Sequence, residues 1–264
     1  MSRRRLLVLG VVAVVLAGVV LVWWVVFRGD SPASVNSEAG EQAREEALDA
    51  ASDDGSAATT TVGSVATIEP FVAASGQTWR VDTSIGTFDD ACLTEVCSGN
   101  FVGFRIDEEL VRFGAKTVVG RTPGVAGGLA IDGSMITEVE IDVDMTQLVT
   151  DDNDRNSWLR TGGPETDTFP TASFRLTEPI ELGAVPGDAM EVEVEATGEL
   201  TVHGVTNTVT IPLQAELRDG VVVVFGELEN LLLADYDIPT PVAVVVVSAD
   251  DHATLELQLF FTPA

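Results

Sequence analysis

From Met190 onward, apolar and polar residues take strict turns. Met190, Val192, Val194, Ala196, Gly198, Leu200 and Val202 fall on even positions, and Glu191, Glu193, Glu195, Thr197, Glu199, Thr201 and His203 on odd ones. After Gly204-Val205-Thr206-Asn207 the pattern resumes, with Val209, Ile211, Leu213, Ala215 and Leu217 against Thr208, Pro212, Gln214 and Glu216. A sustained period of two predicts strands with one apolar and one wet face. The short Gly- and Asn-containing connector predicts a hairpin. At roughly 3.3 Å per residue, a strand over 190–203 would reach about 45 Å, well beyond the usual five or six residues. Strands this long suit a deep, curled sheet whose apolar face must enclose something.

Strand signals fill the rest of the C-terminal two-thirds. A first strand is expected over 78–88, from Trp79, Val81 and Ile85. A second follows over 100–107, from Val102, Phe104 and Ile106. Residues 110–113 and the glycine-rich 114–128 read as a short helix or turn and then a bent strand. Val139, Ile141, Val143 and Met145 alternate with Glu138, Glu140, Asp142 and Asp144. Residues 151–160 read as a polar connection or a helical turn, with Trp158 as its large apolar residue. Further strands are expected over 172–182, 221–229, 242–248 and 254–261; in the last, Leu255, Leu257, Leu259 and Phe261 oppose Glu256 and Gln258. Eight to ten amphipathic strands in consecutive hairpins, with no long soluble helix, predict an all-β fold. Consecutive hairpins of this kind predict an antiparallel sheet closed into a barrel.

Ahead of the barrel the pattern changes twice. Arg3, Arg4 and Arg5 precede an unbroken apolar or glycine run over 6–27, whose 22 residues are enough to cross about 30 Å of hydrocarbon as a helix. Trp23 and Trp24 sit near its outer end, where aromatic rings favour the membrane interface, and the arginines predict a cytoplasmic N-terminus. A cleaved signal peptide is the alternative, but its apolar core would be about 7–15 residues long. Residues 29–75 are rich in Ala, Ser, Thr, Gly and acid, which predicts an extended, disordered linker. Three segments follow: 1–28, a cytoplasmic stub and transmembrane signal-anchor; 29–75, an acidic flexible linker; and 76–264, the barrel domain.

The net charge of −28 divides as +4, −8 and −24 over those segments. So acidic a domain is repelled by nucleic acid and by anionic lipid, so neither surface is an expected partner of the barrel itself. Most of the acid falls on outward strand positions, where a solvated face is expected. The two cysteines, Cys92 and Cys97, would close a small local disulfide outside the cytosol.

The chain lacks a Gly-x-Ser-x-Gly elbow, a His-Glu-x-x-His pair, a phosphate-binding Gly-x-x-x-x-Gly-Lys and a Cys-x-x-Cys. No cofactor or metal is expected, and the chain does not read as an enzyme. His203 belongs by parity to the polar face at the mouth of the hairpin turn, as a turn residue or a contact for a ligand head group at the rim. His252 is expected in a loop. Asp151-Asp152-Asn153-Asp154 lacks the glycine and terminal glutamate of a calcium loop and reads as a polar loop.

Gly198-Glu-Leu-Thr-Val-His-Gly-Val-Thr-Asn-Thr-Val-Thr-Ile-Pro212 resembles the hallmark hairpin of the YceI family. Gly114-Ala-Lys-Thr-Val-Val-Gly120 and Gly128-Leu-Ala-Ile-Asp-Gly133 resemble that family's early strands. Leu148-Val-Thr-Asp-Asp-Asn-Asp-Arg155 with Trp158-Leu-Arg160 is similar to its arginine-containing connection, and Phe169-Pro-Thr-Ala-Ser-Phe174 to its strand start. The late family segment Asp-Tyr/Phe-Gly-Ile is present as Asp235-Tyr-Asp-Ile238, with aspartate in place of glycine. The resemblance spans about 77–262 and is to an actinobacterial-type member carrying an N-terminal anchor. It implies an antiparallel, lipocalin-like barrel of about eight strands holding an isoprenoid, a quinone or another amphiphilic lipid in an apolar lumen, near the membrane that supplies it. Small inward residues must keep such a lumen open, which makes Ala196, Gly198 and Ala215 of interest. The ligand-binding candidates, in lumen or lid, are Phe104, Phe113, Trp158, Phe169, Phe174, Ala196, Gly198 and Leu200. The alternative is a filled barrel acting as a structural or protein-interaction module through its acidic surface.

Overall fold

A computed structural model describes residues 31–35, 49, 71–110, 114–241 and 246–264. The expected membrane anchor and most of the expected linker lie outside these residues. Among them are thirteen strands: β1 (Gln77–Val81), β2 (Phe101–Leu110), β3 (Gly114–Thr122), β4 (Val125–Asp132), β5 (Met135–Asp144), β6 (Val149–Thr150), β7 (Thr171–Leu176), β8 (Ile180–Glu181), β9 (Met190–Val202), β10 (Val205–Arg218), β11 (Val221–Leu232), β12 (Val246–Ala249) and β13 (His252–Pro263). One α-helix, α1 (Asn153–Thr161), is described in full.

The strands pair antiparallel in the order β1-β4-β5-β7-β9-β10-β11-β13, and β13 pairs back onto β1 to close an eight-stranded barrel. One edge of β13 serves two strands. Phe261–Pro263 pairs with β1, while Thr254–Gln258 pairs with β2, which carries β3 and β6 beyond it. The expected hairpin forms the longest ladder, from Met190↔Leu217 to Val202↔Val205. His203 and Gly204 make its two-residue turn, with φ of 52° and 75°. Positive φ at both central residues is the requirement of the hairpin turn whose twist matches that of its strands.

Several expected strands are broken where local chemistry interrupts the ladder. The 114–128 stretch is two strands parted at Pro123-Gly124, because proline has no N–H to donate. The 172–182 stretch splits into β7 and β8 around Pro179. The polar connection over 151–160 is helical because Asp152 caps it, accepting from the Asp154 and Arg155 amides at 2.8 and 3.0 Å. Its neighbour Asp151 pairs with Lys116 at 2.8 Å and Arg155 at 3.0 Å. Both acids are thus engaged in holding the helix.

Apolar residues cover both sides of part of the wall. Inside, Trp79, Leu129, Ile141, Leu259 and Phe261 belong to one cluster, and Ile106, Leu200, Leu233, Tyr236 and Ala253 to another towards the His203 turn. Outside, Val223 and Phe225 of β11, Phe260 of β13 and Phe101 of β2 are buried with Cys92, Cys97 and Val35. Cys92 and Cys97 are joined in a disulfide.

Candidate functional site

The inward residues of the barrel surround a cavity of about 250 Å³. Along β9 and β10 its wall is Met190, Val192, Val194 and Ala196 facing Ile211, Leu213, Ala215 and Leu217, the set that the alternation marked as apolar. Leu255, Leu257, Leu259 and Phe261 of β13 supply another side. Trp158, Leu159 and Pro164 close in from α1 and the loop after it, while Leu182 and Pro186 approach from the opposite end. Thr122, Ser173 and Glu216 are its polar contributors. The Glu216 carboxylate accepts from Arg218 Nε at 2.9 Å, so its charge is already matched. Such a lining offers no nucleophile–base pair and no metal-ligand set. It excludes water and accepts carbon.

Three large rings around the lumen rest on glycines. An added Cβ at Gly120 would stand 2.4 Å from the Phe104 ring, one at Gly198 2.5 Å from the Phe174 ring, and one at Gly163 2.4 Å from the Trp158 ring. Of the residues singled out from sequence, Phe104, Trp158, Phe174, Ala196 and Leu200 line the cavity. Gly198 sits in the inner wall, but the space it leaves is taken by Phe174, so it seats an aromatic ring and adds no void. Phe169 lies outside the lumen, edge-on to His203 at 4.3 Å between ring centres and against Gly204. Phe113 lies outside the described residues.

His203 is bound into the turn. Its Nδ1 donates to the Tyr236 carbonyl at 2.9 Å, and its Nε2 lies 3.2 Å from the Glu165 carboxylate. Tyr236 beneath it is buried, and that burial raises the phenol above its ordinary value. The imidazole therefore ties together the hairpin, the loop after α1 and the turn after β11, and it is not part of the cavity wall.

The family model for the YceI-like domain matches residues 93–261, from the disulfide loop into the last barrel strand. The chain belongs to the YceI-like family. A UPF0312 protein of Vibrio parahaemolyticus is 25% identical over 162 residues, covering 58% of this chain and 79% of that one. Among solved structures, a polyisoprenoid-binding domain from Saccharophagus degradans, implicated in plant cell wall breakdown, superposes with a TM-score of 0.50 at 15% identity. It covers 70% of this chain and 98% of that one. This likeness supports the fold. Asp237, where this YceI-like chain departs from the family's glycine, adopts φ of 54°. Aspartate is among the few residues that take this left-handed conformation readily, so the turn survives the exchange.

A charged cluster on the outer wall was not read from the sequence. Glu256 is 0% exposed and accepts from Arg105 Nε and Arg121 Nε, each at 2.8 Å. Arg121 also donates to the Cys92 carbonyl at 2.6 Å and lies 4.1 Å over the Phe101 ring. Burial lowers its pKa, and Glu256 opposes that shift. Gly103 stands between them in register, and its missing side chain leaves the trough that the Arg121 stem crosses. Gln258, next along the same face, is 1% exposed and donates to the Cys97 and Gly99 carbonyls. Outward polarity predicted solvated side chains at Glu256 and Gln258. They are buried because the cysteine loop and residues 31–35 cover this wall. The signal lay in Gly103, a gap in a strand beside two arginines.

Proposed function

We propose that this YceI-like chain is a membrane-tethered, extracytoplasmic binding protein. It holds a polyisoprenoid, a quinone or a similar long apolar lipid in the barrel lumen and performs no reaction on it. The observation that carries this reading is the cavity, about 250 Å³ within a closed wall of aliphatic and aromatic side chains. Apolar cavities of about 150 Å³ already stay dry and admit small hydrocarbons. Each methylene transferred from water into such a lumen contributes about 0.8 kcal/mol, so an isoprenoid chain is favoured in proportion to the length it buries. The polyisoprenoid-binding description of the Saccharophagus domain supports the same ligand class. The apolar run over 6–27 behind Arg3, Arg4 and Arg5 supports the tether, and its charge order supports a barrel outside the cytoplasm. A cavity of this size counts against the alternative of a filled barrel serving only as an interaction module.

Native mass spectrometry on the full chain, extracted gently from its membranes, tests the proposal. Retention of a lipid with isoprenoid fragments is expected, together with its displacement by added long-chain isoprenoid alcohol. A folded barrel that neither retains nor takes up any apolar lipid overturns it.

A further inference from the structure

The acidic stretch over 29–75 reads in sequence as a free tether, yet its described parts at either end are both fastened to the barrel. Ser31 Oγ donates to the Thr117 carbonyl, and Arg105 Nη2 donates to the carbonyls of Pro32 at 2.7 Å and Ala33 at 2.8 Å. Ser34 Oγ donates to the Glu227 carboxylate. Val35 is 3% exposed, packed among Cys92, Cys97, Phe101 and Phe260. At the other end, Phe71 is 5% exposed, its ring filling the space beside Gly128, and its carbonyl accepts from Arg80 at 3.3 Å. Arg105 is itself fixed by Glu256, so its two bonds to the backbone are charge-assisted and pre-aimed.

We propose that residues 31–35 are a docking strap that holds the outer wall of β2, β3, β11 and β13 against the lipid surface. This rests on the reading of 6–27 as a retained membrane anchor. Lengths decide between strap and spacer. Between Arg28 and the clamped Ser31 the backbone spans at most about 10 Å, at roughly 3.3–3.6 Å per residue. A free, flexible chain from Arg28 to Phe71 would instead average roughly 35–40 Å from end to end. With the strap seated, everything after Val35 lies beyond the point of attachment, so the length of 36–70 has no bearing on how far the barrel stands from the bilayer. Asp107, Glu109 and Glu229 are exposed on these strands, so anionic lipid gives this wall no attraction of its own. Proximity is imposed by the strap.

Two insertions in the full chain separate the possibilities. A flexible Gly/Ser segment of about twenty residues is placed between Asp30 and Ser31, or the same segment between Ala50 and Ala51. Each protein, labelled at Glu109→Cys, is reconstituted into phosphatidylcholine vesicles carrying a headgroup energy acceptor. The first insertion should move the barrel out by roughly 25 Å and cut energy transfer about twofold or more. The second should leave transfer unchanged. Equal effects from both overturn the strap. In detergent micelles, Ser34→Cys with Glu227→Cys should crosslink in full yield, and failure to crosslink overturns the docking without reference to any membrane. A crosslinked chain that remains in the soluble phase overturns the anchor, and with it the lipid-facing role of the wall.

Discussion

Gly198 and Ala196 are neighbours on the same inward face, yet the structure gives them different work, and substitution should tell them apart. At Gly198 a methyl group would meet the Arg175 carbonyl at 2.4 Å and the Phe174 ring at 2.5 Å. Gly198→Ala should cost about 1–3 kcal/mol in urea unfolding, the usual penalty for overpacking. Ala196 faces the cavity itself, so Ala196→Phe should abolish lipid retention in native mass spectrometry while circular dichroism still reports a folded barrel. Parity identified both residues as inward; it could not say that a ring from β7 claims one of the two gaps. The outer face shows the converse limit. Glu195 and Glu256 both read as outward acids, but Glu195 is exposed and Glu256 is wholly buried between two arginines. Removing a buried ionic partner leaves uncompensated charge, so Glu256→Ala should destabilise by about 3–5 kcal/mol. Glu195→Ala should stay within about 0.5 kcal/mol. Equal losses in the two urea midpoints would show that the triad contributes nothing.

At the scale of elements, α1 exists because of one side chain. The Arg155 amide lowers the Asp152 carboxyl most; burial opposes it, and the Asp154 amide lowers it further. A depressed folded value means the cap stabilises fully above the unfolded carboxyl value near pH 4 and is lost as pH falls through the folded one. Asp152→Ala should therefore cost about 1 kcal/mol at pH 7, with the difference from the parent shrinking below about pH 4. Asp152→Asn, which can still accept from an amide, should cost little at pH 7 and remove that part of the acid sensitivity. Urea titrations at pH 3 and pH 7 check both. The two strands of the β9–β10 hairpin were legible because alternation is a local signal, although the connector read over 204–207 is a two-residue turn at His203-Gly204, with 205–207 already paired in β10. The helix was legible only as a turn, because its stripe of apolar residues is only Trp158 and Leu159, and its start depends on a cap whose partners are backbone amides. The break between β3 and β4 was also hidden. A proline in a glycine-rich stretch is compatible with a bend or a gap, and only the pairing of β4 with β1 and β5 decides for the gap.

The whole molecule carries 42 acidic residues against 14 Lys and Arg, and many of those bases are already engaged. Arg105 and Arg121 share Glu256, Lys116 and Arg155 share Asp151, Arg175 reaches Asp142 and Arg218 reaches Glu216. The remaining acid is concentrated by the fold itself. Glu191, Glu193, Glu195 and Glu199 stand exposed on one face of β9. Successive outward positions on a strand lie roughly 7 Å apart, inside the Debye length of about 10 Å at 0.1 M salt. Unfolding lets these charges separate, so their repulsion weighs against the folded barrel. At 1 M salt the Debye length falls to about 3 Å, which removes most of that repulsion but leaves the wholly buried Glu256 pairs little affected. The melting temperature should therefore rise as sodium chloride is raised from 0.05 to 1 M. A Glu193→Gln, Glu195→Gln double variant should melt higher than the parent at low salt and converge with it at high salt. A melting temperature that falls with salt would mean that exposed ion pairs, not the surplus acid, dominate the electrostatics of the barrel.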